Sequence, residues 1–424
     1  MSLIESDFFY YINNELYCEN IKINDIVDTT KTPVYVYSKK AFQNHYKLFS
    51  EAFKDINHTI FYALKSNYNL NVIKIFEQLG AGCDVNSAGE FIRALKGGFT
   101  PDRILLTGVG KTYEEIKMGI DLGVKMIKAE SWQELEAISN IATELGKKVP
   151  VAIRVNPNVD PKTHPYISTG LKENKFGVPY KDALQYYHKA NELPNIELKG
   201  LDMHIGSQIT VIEPFVEAVT KIKELLLQLR DGGIVLEHFD MGGGMGVPYK
   251  NEHSFSPFKL AAALMPIFKD LNMEIFFEPG RYLTANAGVL IGTVLYTKVN
   301  NEKHFIVTDT AMTDLLRPSI YNAYHHIQPV INKNKDIVTA DIVGPVCESG
   351  DFLGKSREIQ KLEQNDRIAV LSAGAYGMVM SSNYNGRRRP PEIIVDGDKF
   401  FITRSRETYD YLLYDEKLIE ELHQ

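Results

Sequence analysis

Five features at the ends of predicted strands have the chemistry to act together: Lys65, Asp84, His204, the run Gly242-Gly243-Gly244, and Glu278. A lysine drawn out of water gives up its proton more readily, and its amine can then condense with a carbonyl to form a Schiff base. Glycines directly after a strand let phosphate oxygens approach backbone N–H groups closely. A carboxylate such as Glu278 can hold a proton on a pyridine nitrogen, which makes the ring an electron sink for a carbanion. His204 can lie flat against such a ring. Each residue alone has a plainer role, as a solvated lysine, a turn aspartate, a satisfied core histidine or a tight turn. The joint set suits one aldehyde cofactor bearing a phosphate.

Those residues need a scaffold that gathers strand ends on one face. Short apolar or β-branched runs at Thr59–Leu64, Ala81–Val85, Arg103–Thr107, Lys125–Ala129, Val151–Asn156, Glu197–His204, Leu236–Met241 and Glu274–Glu278 read as strands. Longer amphipathic stretches such as Leu70–Leu79 and Glu213–Leu229 lie between them. Eight strands with helical crossovers predict a (β/α)8 TIM barrel, whose function collects at the C-terminal strand ends. A doubly wound open sheet has the same alternation. Beyond residue 282 the runs Gly288–Lys298, His304–Thr308, Asp341–Val343, Arg367–Leu371 and Phe400–Thr403 follow one another without regular helices. They predict a second, β-rich domain of barrel or sandwich type, which the early strand Val34–Tyr37 can join. The expected division is a barrel over residues 38–281, and a β-rich domain from residues 1–37 together with 282–424.

Several functions are disfavoured. The run Gly108-Val-Gly-Lys-Thr112 resembles the end of a phosphate-binding P-loop, but Leu105 stands where that loop needs glycine. Gly242-Gly-Gly-Met-Gly246 follows a strand, yet Val247 occupies the last glycine position of a dinucleotide fingerprint. HExxH, GxSxG and CxxC are absent, and no metal site is expected. A chain of 424 residues exceeds one ordinary hydrophobic core, in keeping with two domains. Its formal net charge of -7 argues against nucleic acid or an anionic membrane as partner. Three cysteines, Cys18, Cys83 and Cys347, have no zinc-like spacing and predict a reducing, cytoplasmic setting. The opening MSLIESDFFYYINNELY does not read as a secretory signal, and the apolar stretch Gly288–Tyr296 is too short to span a bilayer.

The motifs Tyr62-Ala-Leu-Lys-Ser-Asn67, His204-Ile-Gly-Ser-Gln208, Gly242-Gly-Gly-Met-Gly246 and Glu278-Pro-Gly-Arg281 resemble, in order, those of the alanine-racemase-like decarboxylases that use pyridoxal 5'-phosphate (PLP). Within that group, Asn156-Pro-Asn-Val-Asp160 and the stretch from His164 to Gly177 resemble the diaminopimelate decarboxylases. So do Leu316-Arg-Pro-Ser-Ile-Tyr321, Gly344-Pro-Val-Cys-Glu-Ser-Gly350 and Gly374-Ala-Tyr-Gly377. The resemblance implies PLP-dependent decarboxylation of meso-2,6-diaminopimelate to L-lysine and carbon dioxide, the last step of lysine biosynthesis. It makes Lys65 the Schiff-base lysine, Glu278 the partner of the ring nitrogen and His204 the stacking residue. Ser207, the turn of Gly242, Gly243 and Gly244, and the backbone of Gly280 and Arg281 hold the phosphate, with Asp84 behind the cofactor. Tyr376 touches both cofactor and substrate. Cys347 is the proton donor, supplied by the neighbouring subunit of a head-to-tail homodimer whose active sites are completed across the interface.

For a substrate with amino-acid groups at both ends, a distal carboxylate calls for arginine, which binds it through two parallel hydrogen bonds. Arg281 and Arg317 are the candidates, with Tyr321 as a further donor and Glu348 as acceptor for the distal ammonium. Arg387, Arg388 and Arg389 read as a solvated or interfacial basic run. Two positions depart from the pattern. Tyr282 follows Arg281 where a small residue is common, and Thr310 in Asp309-Thr-Ala-Met312 stands where glycine is usual. The alternatives are the same chemistry on ornithine, arginine or carboxynorspermidine, an amino-acid racemase of the same fold, and a non-catalytic PLP carrier. Carriers are shorter and lack the β-rich domain.

Overall fold

The computed structural model describes residues 3–164, 169–170, 174–250, 252 and 254–423. Two compact units form, one from residues 42–284 and one from residues 1–41 together with 285–424.

Among the described residues, eight parallel strands of the first unit form the ring: β1 (His58–Ala63), β2 (Gly82–Val85), β3 (Ile104–Leu106), β4 (Met126–Ala129), β5 (Val149–Asn156), β6 (Ile196–Asp202), β7 (His238–Asp240) and β8 (Glu274–Phe277), and a short ninth, Val178–Pro179, pairs parallel to β5 beside it. Each of the eight pairs with the next, β8 returns to β1, and β4 pairs with β5 through Ile127↔Val151 and Ala129↔Ile153. That closure excludes the open doubly wound sheet and confirms the barrel. Strands such as Ile104-Leu-Leu106 are buried throughout because the barrel interior covers one face and helices the other. Phe61, Leu105, Met126, Ala152 and Phe276 form one packed cluster of the barrel.

The crossover helices start where a polar side chain can satisfy the free amides of a first turn. Ser87 accepts from Glu90 N–H ahead of the helix Ala88–Gly97, and Ser131 from Glu134 N–H ahead of Trp132–Glu144. Thr112 and Glu115 form a reciprocal capping box on Tyr113–Leu122. Among the described residues no helix is long and apolar enough to cross a membrane.

The second unit is mostly sheet. Its strands run in the order Phe352–Gln360, Ile337–Val343, Lys303–Thr308, Gly288–Asn300, Val34–Ser38, Glu392–Asp396 and Lys399–Arg404. The early strand Val34–Ser38 lies between two late ones, antiparallel to Gly288–Asn300 and parallel to Glu392–Asp396, as the sequence suggested. Phe9, Leu16, Ile26, Val36, Ile291 and Ile393 are among the residues of its core. The departure at Thr310 has a partner here. A Cβ on Gly292 would lie 1.9 Å from Thr310 Oγ1, so the glycine in the strand makes room for the threonine. Tyr282 belongs to the first unit, where its ring packs against His45 and Phe49 in an aromatic cluster. One expectation needs correction. Arg389 is not simply solvated: its guanidinium pairs with Glu407 at 2.9 Å and bonds Asn383 and Ser381, which ties it into its own unit.

Candidate active site

Because all eight strands are parallel, their C-terminal ends share one face of the barrel. Lys65 sits there in the single turn Leu64–Ser66 that follows β1. Its ammonium bonds Asp84 Oδ2, from β2, at 3.1 Å, and its side chain keeps 39% of its exposure while Asp84 keeps none. Burial works against the charge of Asp84, but the Lys65 and Lys128 ammoniums beside it hold its carboxyl below the usual range. Asp84 therefore stays an anion that anchors the Lys65 ammonium.

His204 follows β6. Burial, then the charges of Arg154 and Lys65, hold its imidazole well below the ordinary range, so the ring is neutral. Its Nδ1 accepts from Gly243 N–H at 3.2 Å, which leaves the proton on Nε2. The backbone at His204 is braced from the motif that precedes it. Thr169 Oγ1 donates to His204 O at 2.7 Å, and Gly170 N–H to Ile205 O at 2.9 Å. Residues 165–168 and 171–173 of the His164–Gly177 motif lie outside the described residues.

The glycine turn after β7 is required by geometry. Gly242 and Gly244 have φ of +70° and +113°, and a Cβ on Gly243 would lie 2.3 Å from Glu278 O. Gly242 N–H bonds Asp240 Oδ1 at 2.8 Å, so two of the three amides expected to face a phosphate are engaged within the protein. Gly280 comes close to β1, since a Cβ there would meet Ser66 and Ala63 at 3.0–3.2 Å. Arg281 is buried and donates to Tyr249 OH at 2.6 Å and to Ser207 Oγ at 3.0 Å. Ser207 and Arg281 thus act as one unit beside the turn.

Glu278 follows β8. Burial, and then Asp240 and Asp84, push its carboxyl well above the ordinary range. Its Oε1 accepts from Lys128 Nζ, an interaction that sequence reasoning missed. Lys128 also bonds Asp202 and Asp240, and Arg154 pairs with Glu130 at 2.9 Å. A signal was present: Lys128, Asp202 and Asp240 are charged residues near the ends of strands that must be buried.

Other predicted residues belong to the second unit and are described within it. Arg317 opens the short helix Arg317–Tyr321, is buried, and donates to His325 Nε2 at 2.7 Å. His325 in turn gives its Nδ1 proton to Leu371 O, so the guanidinium is fixed in orientation. Cys347 is a free, exposed thiol whose amide bonds Asn385 Oδ1 at 2.8 Å, and Glu348 beside it is exposed. Tyr376 holds a φ of +54°, an uncommon conformation for a tyrosine. A cavity of about 300 Å³ lined by Thr59, Gly82, Arg103 and Glu274 lies at the opposite, N-terminal ends of the strands. That end of such a barrel serves stability.

The donor set fits a phosphorylated pyridine aldehyde: an anchored amine, a carboxyl that holds a proton, a neutral ring to stack, and a turn too close for any side chain. Fold and site together define a PLP-dependent decarboxylase of the barrel type. Residues 39–285 match the family described as pyridoxal-dependent decarboxylase, pyridoxal binding domain. The chain is 45% identical to the diaminopimelate decarboxylase of Aquifex aeolicus, covering 96% of each, and 45% identical to that of Neisseria meningitidis, covering 95% of this chain and 97% of the other. The crystal structure of Helicobacter pylori diaminopimelate decarboxylase complexed with L-lysine is similar with a TM-score of 0.90 and 41% identity, over 95% of this chain and all of that one. The chain belongs to the diaminopimelate decarboxylase family, and its cofactor is PLP.

Proposed function

We propose that the chain decarboxylates meso-2,6-diaminopimelate to L-lysine and carbon dioxide. The observation that carries this reading is the Lys65–Asp84 pair at the barrel's C-terminal face, in a chain 45% identical to enzymes named for that reaction. Bound PLP supplies an electron sink for the carbanion that loss of carbon dioxide leaves behind. The protein's own residues do the rest. Lys65 holds the cofactor through its amine, and neutral His204 stacks on the ring. Glu278 keeps a proton at the ring nitrogen. With the Gly242 and Gly243 amides engaged, Gly244, the Gly280–Arg281 backbone and Ser207 are assigned to the phosphate.

Cys347 is assigned as proton donor from its place in the Gly344–Gly350 motif, since a positioned thiol can serve as a general acid. Arg281 and Arg317 are assigned to the distal carboxylate, Glu348 to the distal ammonium, and Tyr321 and Tyr376 to further substrate contacts. The same reading takes the protein as a cytoplasmic homodimer in which Cys347 of the partner subunit completes each site. The exposure of Cys347 and Glu348 supports that arrangement. Reduction of the holoenzyme with borohydride, followed by peptide mapping, tests the assignment of Lys65. A pyridoxyl group on residue 65 is expected, and one on a different lysine overturns it.

A further inference from the structure

Lys128 is a fully buried cation at the end of β4. Its ammonium has three N–H donors, and three carboxylates surround it: Asp202 Oδ1 at 2.8 Å, Asp240 Oδ2 at 2.6 Å and Glu278 Oε1. They come from the ends of β6, β7 and β8, so one side chain reaches across the barrel interior to three strands. The remaining oxygens extend the network. Asp240 Oδ1 accepts from Gly242 N–H at 2.8 Å, and Asp202 Oδ2 lies 3.8 Å from Arg154 Nε. Asp84 also acts electrostatically on Lys128 and on Glu278.

Three carboxylates around one ammonium leave an excess of negative charge in a buried place, which favours retention of a proton by the cluster. Its location follows from the hydrogen bonds. Glu278 Oε1 accepts from the ammonium, and a carboxyl proton placed on that oxygen would point at another donor. Within Glu278, a proton therefore belongs on Oε2, the oxygen that does not accept from Lys128.

We propose that Lys128 is a positioning residue for the reaction: its ammonium, fixed by Asp202 and Asp240, holds Glu278 Oε1 and so leaves Oε2 as the oxygen that yields a proton to the cofactor's ring nitrogen. This rests on the reading of Glu278 as partner of that nitrogen. In the transfer the O–H bond at Oε2 breaks, its electron pair stays on the carboxylate, and an N–H bond forms. The negative charge that appears on Glu278 lies directly against Lys128. Because the cation touches Glu278 and is separated from the nitrogen by it, removing the cation tightens Glu278's hold on its proton more than the nitrogen's.

The test uses holoenzyme loaded with PLP labelled with nitrogen-15 in the ring, whose resonance reports protonation. K128M removes the cation, and K128M/D202N removes it with one carboxylate, so the cluster keeps its net charge. K128M/D202N is expected to unfold at a temperature close to wild type, with its nitrogen signal moved toward the unprotonated position. Its cofactor binding should be weaker by roughly 10–100-fold, the worth of a hydrogen bond to a charged group. A wild-type signal and affinity in that variant overturn the proposal and leave Lys128 as charge balance alone. E278Q should move the signal as well; if it does not, the reading of Glu278 itself fails, which is a separate outcome. Should the Lys128 variants not fold, infrared difference spectra of wild-type and E278Q holoenzyme at neutral pH decide. A carboxylate band from Glu278 is expected, and a protonated-carboxyl band overturns the proposal.

Discussion

Charge placement governs the residue scale. Lys65 and Asp84 were legible as residues at the first and second strand ends, whereas the ion pair between them appears only in the fold. Lys128 was legible only as a charged residue in a strand that must be buried, and the closed barrel alone shows that three carboxylates converge on it. The same holds for the glycine turn. Its need for glycine was legible, whereas the engagement of two of its amides by Asp240 and His204 was not. Replacement of Cys347 by alanine should lower turnover by roughly 10²–10⁴-fold, as loss of a general acid does, while the absorbance of the bound cofactor is retained. Steady-state rates beside a visible spectrum check this, and near-normal turnover removes Cys347 from the mechanism. The assignment of Arg281 and Arg317 to a distal carboxylate predicts kcat/KM for diaminopimelate on the order of 10³ or more above that for ornithine, since ornithine offers no distal carboxylate for a bidentate guanidinium contact. Comparable values for the two substrates contradict it.

At the scale of elements, periodicity and composition located the barrel strands to within a few residues, because strands buried on both faces are short apolar runs. What they did not supply was closure, which depends on the β4–β5 pairing between segments that either topology would contain. In the second unit the pairing of Val34–Ser38 with strands more than 250 residues later was anticipated only from its position before the barrel. The contact of Gly292 with Thr310 was invisible, since it needs the bend at the end of one strand to meet the middle of another. That contact is testable. G292A forces a methyl group onto Thr310 Oγ1 and should destabilise the protein by about 1–3 kcal/mol, the usual cost of overpacking. The double variant G292A/T310G should recover most of the loss. Chemical denaturation of the two variants measures both, and an undiminished loss in the double variant contradicts the pairing.

For the whole molecule, stability against pH and assembly each carry a prediction. Asp314 in the β-rich unit is fully buried away from water, and burial raises its carboxyl to about 7 despite the Ala311 N–H that bonds it at 2.8 Å. The folded state therefore holds its proton at pH values where the unfolded chain, near the ordinary 3.8, has released it. Stability from this group is present below the ordinary value and is lost as pH rises toward about 7. D314N, which stays neutral, should flatten the fall in melting temperature across that interval; an unchanged pH profile contradicts the burial argument. The proposed shared-site dimer makes its own prediction. Mixed and reassembled K65A and C347A chains, each inactive alone, should regain about a quarter of wild-type activity, because half of the dimers then carry one intact site. No recovery after verified subunit exchange contradicts sharing. The most direct measurement is made on the intact protein: holoenzyme is incubated with meso-diaminopimelate, and carbon dioxide and L-lysine are counted together. Equal amounts of the two, with none formed by the K65A variant, are the predicted result; substrate that is consumed or racemised without release of carbon dioxide contradicts the account.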